Sequence, residues 1–198
     1  MQLLYSPMSP FARKVRVVAH EAGVADRVEI SVARPFEDDS IREVNPLAKV
    51  PCMLTDDGKP LHDSRVICEY LDVLTGAGLF PAGGEARWRA LTLQSLADGM
   101  GDAAVRTAQE RRRAEGDQHA DVIARQLKAI DAALDTFEGA RLAADAFRIG
   151  EIAVAAQLGY LDFRKVLDWR PGRPGLADWY EIVSKRDSMV ATEPWQAA

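Results

Sequence analysis

The chain has 198 residues, more than a minimal domain needs and fewer than two average ones, so one domain with appendages and two compact halves both fit its length. Hydrophobic residues make up 47% and charged residues 28%, the balance of a globular protein that can bury a core, which excludes a disordered tail protein or a fibrous repeat. Asp and Glu outnumber Lys and Arg by 30 to 25, the excess is spread along the chain, and no basic face for nucleic acid or anionic lipid is advertised.

Residues 1–12 carry no side-chain charge yet lack the basic start and apolar run of a secretory signal. Uncharged stretches are short and broken by Pro or Gly, far from the ~20 residues that cross a bilayer. These features predict a soluble, cytoplasmic protein with no membrane partner. Cys52 and Cys68 read as core filler in a reducing compartment, and no Cys–His cluster has metal-ligand spacing. His20, His62 and His119 share no spacing that suggests a metal or a nucleophile triad, so no metal is expected.

Residues 2–5 read as a short buried strand, and 10–22 as a helix with Val15, Val18, Ala19 and Ala22 on one side. Val28, Ile30 and Val32 alternate as a strand does. A short helix is expected near 39–44 and a strand at 52–55. Asp57-Gly58 then signals a two-residue hairpin into a strand around Pro60 and Leu61. Ser64 reads as the N-cap of a helix running to about Leu74. A helical crossover forces parallel pairing and a hairpin forces antiparallel pairing, so this α/β unit should hold a mixed four-stranded sheet. The stretch TGAGLFPAGG, residues 75–84, packs four Gly and one Pro into ten positions and reads as a linker.

Beyond it no strand pattern persists and the chain reads as all-helical. Ile123, Leu127, Ile130, Leu134 and Phe137 recur at spacings of 4, 3, 4 and 3, one face of a bundle helix over 117–138. Trp88, Leu91, Ser95, Leu96, Met100 and Ala103 suggest a smaller-residue face on a helix from Glu85 to about Arg113. Ile152, Ala156, Gly159, Tyr160 and Phe163 mark a third helix, rich enough in Ala and Gly for the centre of a tight bundle. The expected organisation is a first domain at 1–76, a linker at 77–84 and an all-helical domain at 85–198.

The α/β half resembles thioredoxin at two points: Ser9-Pro10-Phe11-Ala12 at the strand-to-helix turn, where redox relatives carry Cys-Pro-x-Cys, and Lys49-Val50-Pro51 entering the next strand, where that fold holds a cis proline. With Asp63-Ser64 opening the following helix, twelve residues after Pro51, these motifs resemble the glutathione-binding domain of the glutathione S-transferase superfamily. The linker and helical half are similar to that superfamily's second domain. SPFARKVR at 9–16 and GYLDFR at 159–164 look like a bacterial branch.

The resemblance implies a glutathione transferase with a serine-type site: a cytoplasmic homodimer of detoxification type that binds glutathione as substrate and attacks a small electrophile. It assigns catalysis to Ser9 and glutathione contacts to Phe11, Lys49, Val50, Pro51, Asp63 and Ser64. The electrophile would enter a cleft between the first domain and the helices after Glu85. The chemistry supports these assignments. Populating a thiolate at neutral pH means lowering a thiol pKa near 8.5 by about 2, or roughly 2.7 kcal/mol. A hydrogen bond from a Ser hydroxyl to a charged sulfur contributes about 1.5 to 3 kcal/mol, and a helix N-terminus about 0.3 to 2. Read in isolation, Ser9 is only an N-cap.

Pro51, if cis, lets the Val50 backbone pair with an extended peptide like an added strand; the other reading is a trans proline at a strand start. Ser64 suits a carboxylate and Asp63 an ammonium, the two ends of a γ-glutamyl group, or the pair caps a helix with no ligand. Lys49 would meet the other carboxylate of glutathione, or is an exposed, solvated side chain. Ser9 and Ala12 stand where disulfide exchange requires cysteines, which argues against that reaction. A non-catalytic binding or scaffold protein on the same fold is the alternative function.

The small-residue stretch from Gly99 to Ala104 could let a second copy approach closely. One position departs from the superfamily pattern. Its bundle places Ser or Thr before the central helix with Asp three residues on, and here Arg148 and Glu151 stand there, an expected loss of about 1 kcal/mol from the missing cap hydroxyl.

Overall fold

The computed structural model describes residues 1–35 and 37–194, and the chain divides into two compact units, Met1–Arg87 with the segment from Asp187 onward, and Trp88–Arg186. In the first unit β1 (Gln2–Tyr5) leads through a turn into α1 (Pro10–Glu21), which Pro10 at the first helical position preorganises and Ser9 caps. Next come β2 (Glu29–Val32), a 3-10 turn at Asp39–Glu43, β3 (Cys52–Leu54), β4 (Pro60–Leu61) and α2 (Ser64–Thr75).

The sheet is four-stranded and mixed, in the order β2-β1-β3-β4. β1 pairs parallel with β2 and antiparallel with β3, and β3 pairs antiparallel with β4. The fold is therefore a thioredoxin-like α/β unit followed by a helical unit. Three details differ from the sequence reading. The β3–β4 connection spans residues 55–59, because Thr55 reaches across to the Lys59 backbone in both directions and closes a wider loop than Asp57-Gly58 alone would. Ile30 and Val32 are about half exposed, since β2 is an edge strand and only Val28 of the alternating set is buried. Asp63, not Ser64, caps α2: its carboxylate accepts from the Arg65 amide at 2.9 Å, and Ser64 is the first helical residue.

The second unit is helical: the greater part of α3 (Gly84–Glu110), then α4 (Ala120–Ala140), α5 (Ile149–Arg164) and α6 (Pro174–Val183). On α4, Ile130, Leu134 and Phe137 are buried as their spacing requires, while Ile123 and Leu127 are half-buried. α5 is buried along nearly its whole length, as an Ala- and Gly-rich central helix should be. Gly150 and Gly101 let α3 and α5 approach closely. A Cβ at Gly150 would lie 2.8 Å from Leu93 Cδ2 and 3.2 Å from the Ala90 carbonyl, and one at Gly101 would overlap the Gln157 carboxamide.

Of the expected face of α3, Met100 and Ala103 are buried and Leu91 and Leu96 partly so, but the buried face also takes in Ala90, Leu93, Gln94, Ala97, Asp98, Gly101 and Ala104, whereas Ser95 is exposed and Trp88 is 64% exposed. Of the stretch at 99–104, Gly99 and Asp102 are exposed while Gly101, Ala103 and Ala104 are buried. At the start of α5 the reduced cap is present as expected: Glu151 Oε2 accepts from the Arg148 amide at 3.3 Å, and burial pushes the Glu151 carboxyl up. The chain from Asp187, including α7 (Asp187–Val190), belongs to the first unit instead of closing the helical one; positions 195–198 of the expected second domain lie outside the described residues.

Candidate functional site

Register alone brings three segments to one end of the sheet. β1 ends at Tyr5 and runs on toward Ser9. β3 begins beside that end, with Cys52 opposite Leu4, so Pro51 stands next to it. β4 runs back with Leu61 opposite Met53, which returns His62 and Asp63 to the same end. Ser9, Val50-Pro51 and Asp63-Ser64, scattered over more than fifty positions, thus gather where β1 ends, β3 starts and β4 ends.

Each segment is held by local hydrogen bonds. Ser9 has extended backbone (φ −84°, ψ 121°), its amide donates to Ser6 O at 2.9 Å, and its Oγ accepts from the Ala12 amide at 3.2 Å. The hydroxyl hydrogen is not used by that cap, and accepting from an N–H polarises the hydroxyl as a donor. Phe11, in the first turn, is half-buried. Pro10, Phe11 and Ala12 put no acidic side chain at the N-terminus of α1, which leaves its positive end uncompensated.

The Val50–Pro51 peptide is cis, and Pro51 is buried. Asn45 builds the loop before it. Its side chain donates to Lys49 O at 2.8 Å and accepts from the Leu47 amide at 3.1 Å, and the Ala48 amide donates to Asn45 O at 2.8 Å. Ala48 accordingly sits at φ 50°, in the left-handed region. Lys49 projects as an exposed side chain. The His62–Asp63 peptide is also cis, a feature no sequence signal announced. Asp63 is exposed and one of its oxygens caps α2, whereas Ser64 is 3% exposed.

Cys52, next to Pro51, is fully buried, and burial pushes its thiol up to about 11, so it is a neutral wall of the core and not a nucleophile. It packs with Ala33 and Ile41, against which Leu4, Val44 and Val50 also rest. Cys68 is fully buried as well. Among the described residues no group of three or more His, Cys, Asp or Glu side chains could hold a metal ion, and no helix is long and apolar enough to cross a membrane.

Sequence reasoning missed Asp72 and Arg13. Asp72 is 6% exposed and accepts from the Leu79 amide at 2.7 Å and the Phe80 amide at 3.1 Å, tying the linker to α2. A signal existed: an acidic residue in the last turn of a helix opposes the helix dipole, so it calls for a local donor.

A thioredoxin-like unit with a serine-capped first helix, a cis proline entering its third strand and a helical unit following it is the two-part architecture of the glutathione S-transferase fold. Residues 8–74 match the family model of the glutathione S-transferase N-terminal domain, and residues 120–181 that of the glutathione S-transferase C-terminal domain. The chain is 33% identical over 204 residues, covering 100% of both chains, to the uncharacterized GST-like protein YibF of Escherichia coli (strain K12). A crystal structure of a glutathione transferase family member from Pseudomonas fluorescens Pf-5 with bound glutathione matches with a TM-score of 0.94 and 42% identity, covering 98% of this chain and 99% of that one. Another from the same organism, with bound S-(propanoic acid)-glutathione, matches with a TM-score of 0.89 and 41% identity over 99% of this chain and 100% of that one. The chain belongs to the glutathione S-transferase family.

Proposed function

We propose that this protein is a glutathione transferase in which Ser9 donates a hydrogen bond to the thiolate of bound glutathione, and the sulfur attacks a small electrophile. The observation that carries the reading is the Ser9 hydroxyl at the uncompensated N-terminus of α1, at the sheet end that also holds Pro51 and Asp63. The sulfur lone pair forms the new bond to carbon, the thiol proton leaves to solvent, and a halide or other leaving group departs with its electron pair. Phe11, Lys49, Val50, Pro51, Asp63 and Ser64 hold the tripeptide: the Val50 backbone pairs with it, Asp63 takes the ammonium, and Ser64 takes the adjacent carboxylate. Relatives with glutathione or a glutathione thioether bound support both substrate and product classes. The setting proposed is the cytoplasm, where buried thiols stay reduced. The assembly is a homodimer, for which the exposed Gly99 and Trp88 of α3 offer contact area; sedimentation at micromolar concentration showing only monomer overturns it.

Retention on immobilised glutathione, with turnover of a generic aryl halide, tests the reading. Retention without turnover of any electrophile favours the scaffold alternative. Ser9→Ala removes the donor and leaves the binding segments intact. It should lower the thiolate fraction of bound glutathione at neutral pH and conjugation about tenfold or more, equivalent to losing about 1.5 to 3 kcal/mol of thiolate stabilisation. Thiolate absorbance titrated in both proteins reads this directly, and coincident titrations reduce Ser9 to a cap.

A further inference from the structure

α1 carries two arginines whose side chains reach the segment that follows Asp187. Arg13 is 7% exposed, and its Nη2 donates to the Met189 carbonyl at 3.1 Å, across 176 positions. Arg16 Nη2 donates to the Ala191 carbonyl at 3.0 Å. One turn and a half further along, Ser188 Oγ donates to Glu21 Oε1 at 2.5 Å. Residues 13, 16 and 21 share one side of α1, so the segment from Ser188 to Ala191 is fastened to the helix that Ser9 caps. The two carbonyls belong to the end of α7, where main-chain acceptors lack helical partners and a cation is a favourable donor.

Stability alone does not account for Arg13. Its Nε is buried without a hydrogen-bond partner, and a buried, incompletely satisfied cation is worse for stability than an apolar side chain of similar size. Position explains it better. Arg13 is the fourth residue after Ser9, about 6 Å along the helix and on the same face, and its amide donates to Ser9 O at 2.9 Å. A guanidinium carried from that position and held by Met189 O keeps a positive charge on the N-terminal half of α1, where it adds to the positive end of the helix that Ser9 caps.

We propose that Arg13 is a positioning residue for Ser9: the segment from Ser188 to Ala191, through Met189 O, fixes the guanidinium, and Arg16 on Ala191 O fixes the segment. This rests on the reading of Ser9 as the thiolate donor. Arg13 does not touch glutathione; it acts through the first turn and by its charge. The carbonyl grip explains why a guanidinium and not an ammonium stands here, because a planar fork keeps its direction when only one of its N–H groups is engaged.

The test uses the full chain with glutathione bound and an aryl halide as second substrate. Thiolate absorbance at neutral pH, kcat, KM for glutathione and Tm are measured for Arg13→Met, Arg13→Lys, Arg16→Gln and Ser9→Ala. Arg13→Met should cut the thiolate fraction and kcat about three- to tenfold, with KM for glutathione within about twofold, the size expected from one partly screened charge at this range. Arg13→Lys should restore at least part of both. A lowered Tm with thiolate fraction and kcat unchanged in Arg13→Met overturns the proposal and leaves Arg13 a structural anchor. If Arg13→Met does not fold, Arg16→Gln decides: about a twofold fall in thiolate fraction supports the proposal, and an unchanged fraction overturns it. Ser9→Ala separates the two readings, since an unchanged thiolate in that variant removes the Ser9 reading itself, whereas a loss there with none in the arginine variants removes the positioning role alone.

Discussion

In the first unit buried polar side chains answer the backbone of loops: Asn45 shapes the turn before Pro51, Asp72 takes two linker amides, Thr55 closes the β3–β4 loop and Arg13 holds the carbonyl of Met189. In the helical unit Gln94 Nε2 and both carboxamide atoms of Gln157 are buried with no hydrogen-bond partner from the protein, and the helices meet at glycines instead. The difference follows from what each half must do. A unit with short strands and long loops needs side chains to satisfy main-chain groups that no helix or ladder satisfies, and one segment so fixed, the turn that Asn45 builds before Pro51, is at the candidate site. A bundle satisfies its own main chain and is specified by the shapes of facing helices.

The strongest attempt to break this contrast is Asp72→Ala. It strands two buried amides, at about 1.5 to 3 kcal/mol for each charge-assisted bond, offset by about 0.3 to 1 kcal/mol from relieving the helix dipole, so a net loss of about 2 to 6 kcal/mol is expected. Denaturant midpoints should fall, and cleavage within residues 76–84 by a protease should quicken. Equal protease resistance in the variant would mean that the linker is held by something other than Asp72.

Gly150→Ala probes the other half. The new methyl meets Leu93 and the Ala90 carbonyl, and backbone cannot give way cheaply. Overpacking of about 1 to 3 kcal/mol competes with about 1 kcal/mol gained from replacing glycine in a helix, leaving a net cost of about 0 to 2 kcal/mol in thermal unfolding. A stabilised variant would show that α3 and α5 leave room for a methyl group at Gly150.

Gly101→Ala should be milder, because the atom it meets is the end of a Gln side chain, and it should be coupled to Gln157. In a double-mutant cycle, Gly101→Ala in a Gln157→Ala background should lose about 1 kcal/mol less than in the native chain. Additivity within about 0.3 kcal/mol would show that the two do not touch in solution.

The smallest effect belongs to the exposed loop at 55–59. Hydrogen bonds from Lys59 first, and from Thr55 second, hold the Asp57 carboxyl down to about 2. A carboxyl lowered in the folded state contributes stability that is present above its unfolded pKa near 3.9 and is lost as pH falls toward 2. The Tm difference between the native chain and Asp57→Asn should therefore shrink between pH 5 and pH 2.5, by little, because the group is exposed to solvent. No change with pH would mean the pair with Lys59 is too mobile to matter.

Strands, helices, the linker and the three motifs were legible because each is encoded by near neighbours: alternation at 2–5, the 4-3-4-3 spacing on α4, four glycines at 75–84, and Pro after a cap at Ser9. Even the cis proline was readable as a motif, though not its neighbour at His62–Asp63. What failed locally failed by one turn or one residue. Trp88 is outside because the buried face of α3 is set by where Gly101 and Gly150 permit contact with α5, and Asp63 took the cap because α2 begins one residue on, at Ser64.

Long-range partners were beyond the sequence. Nothing near Arg13, Arg16 or Glu21 indicates that the chain returns after 160 or more positions to meet them, and nothing near Asp72 names the amides it takes. Residue types and spacings determined which elements form and which short motifs stand out as site candidates, because propensity, capping and periodicity act within a few residues. Only the tertiary structure decided which polar groups meet, which face of α3 is covered and that the segment from Ser188 to Ala191 rests on α1, because those contacts depend on chain segments whose separation in sequence carries no local signal.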